Sequence, residues 1–222
     1  MTLQTITLYS HRTGPNPWKV VMILEELSLS YKNHFFEDLA DLKKPAYEKI
    51  NPNGRVPAIE DPNTGITLWE SGAIIEYLID TYDKDNKLSF TSFPEKYLTK
   101  QWLYFQVSGQ GPYYGQGGWF SNFHPEKLPS AIERYQNEIQ RVLGVLDHAL
   151  EGKQYLVGEK CTYADISFVS WNSLLPWLLT GVEVDIAKKF PNYHAWNERV
   201  TNRPAVQKTI EVKKVAMAEG KK

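Results

Sequence analysis

The 222-residue sequence predicts an α/β amino-terminal domain joined to an all-α carboxyl-terminal domain. Three observations carry the prediction. Strand-like and helix-like patterns alternate as far as Tyr82, a polar break follows at Asp83-Lys84-Asp85-Asn86-Lys87, and beyond it apolar residues recur at helical spacing. The domains are expected at 1–84 and 92–222, each long enough to bury a core of its own.

Ile6-Thr7-Leu8-Tyr9-Ser10 is β-prone and gives the first strand, with Tyr9 read as core. Pro17 then stands at a helix start, where its missing N–H does no harm, and Val20, Val21, Leu24 and Leu27 recur at helical steps behind it. Tyr31 to Glu37 reads as a strand, Ala46 to Ile50 as a short helix, and Ala58-Ile59-Glu60 and Ile66-Thr67-Leu68-Trp69 as strands across the Asp61-Pro62-Asn63-Thr64-Gly65 turn. Gly72 to Tyr82 closes a β-α-β-α-β-β-α order, and the polar run after it is read as the start of a linker. Downstream, Ile132, Tyr135, Ile139, Val142, Leu143, Leu146 and Leu150 fall three and four residues apart with charges between them, a long amphipathic helix over Ala131 to Leu150. Thr162 and Asp165 form a capping-box start with Cys161 and Ile166 as its hydrophobic staple. That makes Cys161 structural and Asp165 a folding residue. The closing region, Ala216 to Lys222, is expected to fray.

Composition excludes several classes of function. With 25 Lys+Arg against 26 Asp+Glu the chain has no sequence-independent attraction to nucleic acid or anionic lipid. Met1-Thr2-Leu3-Gln4-Thr5 has neither a basic region nor an apolar run, and nothing later approaches the ~18 uncharged apolar residues of a membrane span. One cysteine rules out an internal disulfide and fits a reducing compartment, so a soluble, cytoplasmic protein is expected. The histidines His11, His34, His124, His148 and His194 show no ligand spacing, so no metal is expected.

Two segments point to chemistry. Asn51-Pro52-Asn53-Gly54-Arg55-Val56-Pro57 arrests the chain around a Val-Pro bond, and Trp69-Glu70-Ser71-Gly72-Ala73-Ile74 sets an acid and a hydroxyl at the mouth of an apolar helix. The free N–H groups and dipole of such a helix end suit a carboxylate, with Ser71 beside them, while Glu70 suits an ammonium. Arg55 is placed to take a second carboxylate as a fork or to remain a solvated surface arginine. Gly109-Gln110-Gly111-Pro112 to Phe120 is glycine-rich, yet it follows a helical pattern and lacks the Gly-Lys-Ser/Thr ending of a phosphate loop. Its aromatics Tyr113, Tyr114 and Trp119, with Trp102 and Phe105, either wall an apolar second-substrate pocket or form ordinary core.

These segments, together with Ser10-His11-Arg12-Thr13-Gly14-Pro15-Asn16, Glu133-Arg134-Tyr135, Tyr163-Ala164-Asp165 and Arg203-Pro204-Ala205-Val206, resemble the glutathione transferase superfamily. Within it they are most similar to the fungal subfamily typified by the yeast nitrogen-regulating prion protein and to its bacterial nu-class relatives. The resemblance covers essentially the whole chain and implies a thioredoxin-like amino-terminal domain, an all-helical carboxyl-terminal domain and a homodimer with glutathione as co-substrate. It implies a cis bond between Val56 and Pro57, leaving the Val56 backbone to pair with the cysteinyl unit of glutathione.

The resemblance places Asn16 where the sulfur is met, with Ser10 and Thr13 as fallback donors and Asn16 as a plain helix cap on the other reading. A free thiol of pKa ~8.5 is only about 3% ionised at pH 7, so lowering it by ~2 units means stabilising the anion by roughly 2.7 kcal/mol. Lys43 or Lys44 lies on the loop that in similar proteins reaches the glycyl carboxylate, and Arg134 matches an arginine that approaches glutathione disulfide from the helical domain or stays solvated. The expected activity is reduction of small disulfides through bound glutathione thiolate. Conjugation of glutathione to electrophiles and a non-catalytic regulatory role are the alternatives. The yeast regulator carries an Asn/Gln-rich extension ahead of its first strand, and its absence from this sequence argues against the last.

Overall fold

The computed structural model describes residues 2–220 and divides into two compact units, one running to Lys87 and resuming at Arg203, the other spanning Leu88–Asn202. The first unit is built on a four-stranded sheet of order β2-β1-β3-β4. Strands β1 (Ile6–Ser10) and β2 (Tyr31–Phe35) pair in parallel, while β3 (Ala58–Asp61) and β4 (Ile66–Trp69) run antiparallel to their neighbours. Helix α1 (Pro15–Glu26) makes the crossover from β1 to β2 and is buried continuously from Pro17 to Leu24. A 3-10 turn (Leu39–Lys43) and the one-turn helix α2 (Pro45–Glu48) lead to β3, and α3 (Ser71–Tyr82) packs on α1 behind Ile74, Ile75 and Leu78.

The expected linker is a closed turn. The buried Asp83 accepts from the Lys87 N–H at 2.8 Å, and Asn86 takes a left-handed φ of 52°. The second unit then holds α4 (Glu95–Phe105), α5 (Gly111–Asn122), α6 (Pro129–Ala149), α7 (Tyr163–Asn172), the short α8 (Leu175–Leu178) and α9 (Ile186–Lys189), and α10 (Pro191–Thr201). The capping box forms as expected: Asp165 accepts from the Thr162 N–H and hydroxyl, both at 2.8 Å, and also from Leu156 N–H at 2.9 Å and Trp196 Nε1 at 2.8 Å.

The glycine-rich stretch is helical throughout: α4 passes through a π-helical segment, Gln106–Gln110, directly into α5. Its glycines serve contact, since a Cβ on Gly118 would stand 2.8 Å from the Trp177 ring and one on Gly117 3.0 Å from Ile139. The carboxyl-terminal region does not fray from Ala216, because α11 (Pro204–Glu219) runs through it; Lys221 and Lys222 lie outside the described residues. Helix α11 packs on α1 and belongs to the first unit, whereas the sequence reading assigned everything from 92 onward to one helical domain. The reason is polar as well as apolar: Arg203 forks onto Glu26 at 2.5 and 2.7 Å, Lys208 reaches Glu25 at 2.6 Å, and Val206 is wholly buried.

Candidate active site

Among the clefts of the first unit, the one that gathers the chemistry is lined by Asn16, Asn51, Asn53, Arg55, Val56, Pro57, Glu70 and Ser71. A more voluminous open groove runs between Glu25–Tyr31 and Pro204–Lys208, but its acids are already paired, Glu25 with Lys208 and the Tyr31 hydroxyl and Glu26 with Arg203.

The 51–57 loop is held from below. Asn51, 2% exposed, donates from Nδ2 to the Arg55 carbonyl at 2.6 Å and accepts the Asn53 N–H at 3.0 Å, while the Tyr47 hydroxyl donates to the same carbonyl at 2.7 Å. Gly54 turns the loop at φ 58°, and a Cβ there would meet the Leu42 carbonyl oxygen at 2.7 Å. The Val56-Pro57 bond is cis, as expected. The sheet begins only at Ala58, so the Val56 backbone lies outside its ladder. Of the two lysines left open by sequence, Lys43 donates to the Asn53 carbonyl at 3.0 Å, whereas Lys44 bonds Asp41, which raises its pKa.

Helix α1 opens with Pro15 and Pro17 on either side of Asn16, so the only backbone N–H among its first three residues belongs to Asn16, a residue that lines the cleft. Ser71 begins α3, is 6% exposed, and no side chain caps that helix end. Before it Glu70 takes φ 70° and ψ 113°, a left-handed conformation that costs a non-glycine residue energy and is held by its surroundings. The Glu70 carbonyl accepts the Ile74 N–H at 2.9 Å, and its side chain is exposed at the cleft. Lys19, also on α1, is 1% exposed, and burial pushes its ammonium down to about 7, partly opposed by the Glu70 charge.

Other candidates lie elsewhere. Ser10 ends β1 with no exposed surface, so its hydroxyl is not offered to a ligand. Thr13 is exposed with its hydroxyl 3.1 Å from His11 Nδ1, and burial lowers the His11 pKa. Tyr9, its pKa raised to about 12 by burial, donates to Glu60 at 2.7 Å and packs on Tyr47 and Phe36. In the helical unit Arg134 is exposed on α6, and Trp102 meets Phe105 edge-on. Tyr113 lies under Arg141, Tyr114 is a core residue with no exposed surface, and Trp119 is 48% exposed beside Phe123. Cys161 is buried next to the capping box. Among the described residues no group of three or more His, Cys, Asp or Glu is placed to hold a metal, and no helix is long and apolar enough to cross a membrane.

Sequence reasoning assigned no part in the site to Asn51 or Asn53. An Asn-x-Asn-Gly spacing is a turn signal that also marks Asn51 as an anchor.

The chain is similar to known proteins along most of its length. Residues 4–80 match the family model "Glutathione S-transferase, N-terminal domain" and residues 112–204 match "Glutathione S-transferase, C-terminal domain". Glutathione S-transferase 2 of Schizosaccharomyces pombe is 48% identical over 217 residues, covering 92% of this chain and 94% of its own. The glutathione transferase URE2P6 of Phanerochaete chrysosporium, solved with oxidized glutathione, superposes with a TM-score of 0.90 at 50% identity, covering 96% of this chain and 98% of its own. Ure2p5 of the same fungus, cocrystallized with 1-(S-glutathionyl)-2,4-dinitrobenzene, gives a TM-score of 0.89 at 42% identity and covers 98% of both chains.

Proposed function

Because this chain belongs to the glutathione S-transferase family, we propose that it performs glutathione-dependent thiol transfer and reduces small disulfides. The observation that carries this reading is the convergence of Asn16, Val56, Glu70 and Ser71 on one cleft of the first unit, while the one cysteine is buried in the other unit. The attacking sulfur must then come from the ligand.

On this reading each group of glutathione has a partner. Ser71 and the N–H groups that open α3 receive the γ-glutamyl carboxylate, Glu70 its ammonium, the Val56 backbone the cysteinyl unit, and Lys43 and Arg55 the glycyl carboxylate. The sulfur meets the Asn16 amide and the N-terminal end of α1, which favour the thiolate. That thiolate attacks one sulfur of the disulfide, forms a glutathionyl mixed disulfide and expels the other half as a thiolate. A second glutathione thiolate attacks the glutathionyl sulfur, so glutathione disulfide forms and the remaining half leaves as a thiolate. Two glutathiones are oxidised for each disulfide reduced. Arg134 and the aromatics Trp102, Phe105, Tyr113 and Trp119 are proposed to serve the second substrate; Tyr114, being core, is left out. The resemblance extends the reading to a cytoplasmic homodimer.

A second reading, conjugation to electrophiles, is favoured by the relative crystallised with a dinitrobenzene conjugate. One experiment separates them: turnover of hydroxyethyl disulfide and of a nitroaryl chloride, measured in wild type and Asn16→Ala beside an ultraviolet titration of the bound thiol. Faster disulfide turnover is expected, with Asn16→Ala raising the thiol pKa, each unit being ~1.4 kcal/mol of lost thiolate stabilisation. Faster turnover of the chloride transfers the function to conjugation, and an unchanged titration and rate remove Asn16 from the mechanism.

A further inference from the structure

Asn16 reaches the cleft at the end of a short connection, between β1, which stops at Ser10, and α1, which starts at Pro15. Within that connection Arg12 is a fixed point. Its carbonyl accepts from Trp18 Nε1 at 2.8 Å, and Trp18 is 1% exposed, so a core residue of α1 closes a bond over residues 13–17, Asn16 among them.

The Arg12 side chain is held on three sides. Its guanidinium carbon stands 4.5 Å from the centre of the Phe35 ring, and Nη2 pairs with Glu37 just past the end of β2. The third side is the end of α11, where a Cβ on Gly220 would stand 2.5 Å from Arg12 Cδ and 2.6 Å from Nε. Gly220 has φ −74° and ψ −1°, a right-handed conformation open to any L residue, so the backbone does not ask for glycine there and the contact with Arg12 does. Arg12 Nε and Nη1 are buried with no hydrogen-bond partner among the described residues. Their charge is met by the Phe35 face and by the partial negative charge that gathers at the carboxyl end of a helix. At 19% exposure, and pinned in this way, the side chain has little room to retreat from an added methyl group.

We propose that Arg12 is a positioning residue of the sulfur site: pinned by Phe35, Glu37 and the end of α11, it fixes the connection that carries Asn16 and thereby the donor that meets the glutathione sulfur. The assignment rests on the reading of the cleft as a glutathione site with Asn16 at the sulfur. Arg12 is not among the residues lining that cleft and acts through Asn16. The carboxyl end of α11 then helps to set how readily the bound thiol ionises.

The test adds the missing methyl group. Wild type, Gly220→Ala, Arg12→Met and the double variant are compared on the full chain by ultraviolet titration of bound glutathione, by hydroxyethyl disulfide turnover and by calorimetry with S-methylglutathione. Gly220→Ala is expected to raise the bound thiol pKa by about half a unit, so that kcat on the acid side of that pKa falls roughly threefold. Affinity for S-methylglutathione is expected to change less than about twofold, because Val56, Glu70 and Ser71 hold the tripeptide. In the Arg12→Met background the same methyl is expected to add nothing, since its effect runs through Arg12. A thiol titration that Gly220→Ala leaves unchanged, or shifts equally with and without Arg12, overturns the proposal alone, even where stability falls. Wild type that does not bind S-methylglutathione overturns the glutathione reading together with it. Should Arg12→Met fail to fold, Gly220→Ala decides by itself: a raised thiol pKa supports the assignment and an unchanged one overturns it.

Discussion

A buried lysine makes the stability of this protein depend on pH in a direction opposite to that of a salt-bridged surface lysine. Burial lowers the Lys19 pKa from 10.5 to about 7, so between these values the unfolded chain binds the proton that the folded chain has released. Stability from this group therefore rises with pH across that window and is constant below it, where both states are charged. Lys19→Met removes the titration. The expected outcome is a denaturation midpoint that moves upward in wild type relative to the variant between pH 7 and about pH 9.5. Parallel profiles would show that Lys19 titrates as an ordinary lysine. Tyr9 and Tyr47, both raised to about 12, ionise beyond this range and leave the comparison undisturbed.

Among the elements, α7 shows what local sequence can specify. Thr162 and Asp165 were legible as a capping box because the spacing alone brings the two side chains to each other's backbone N–H groups. Not legible was that the same carboxylate would also take bonds from Leu156 and Trp196, 9 and 31 residues away. Asp165, completely buried, thus ties α7 to α10 and to the 150s loop as well as capping its own helix. Asp165→Ala is accordingly expected to cost about 3–5 kcal/mol, well beyond the ~1 kcal/mol of a lost surface cap. Urea denaturation measures it, and a loss near 1 kcal/mol would reduce Asp165 to a cap. The same limit hides two other features: the positive φ of Glu70, and the purpose of the α5 glycines, whose contacts with Trp177 and Ile139 come from elements more than twenty residues away.

At the scale of the molecule, the strand-helix alternation and the break near residue 84 were legible because they are periodicities and turn residues, which are local properties. The return of α11 to the first unit was not, since an amphipathic helix records that one face is buried but not against what. Its attachment has a polar anchor that can be tested. Glu26 is 10% exposed and Arg203 29% exposed in a two-bond fork, so Arg203→Met leaves a largely desolvated carboxylate without its partner. The expected loss is about 1–3 kcal/mol, above the usual range of a surface pair because both groups are mostly buried. Hydrogen exchange locates it. Amides of α1 and α11, which share the contact, are expected to lose protection, while those of α6 and α7 in the second unit keep theirs. Loss spread evenly through both units would mean that the residues from 203 onward unfold with the whole chain and do not belong to the first unit.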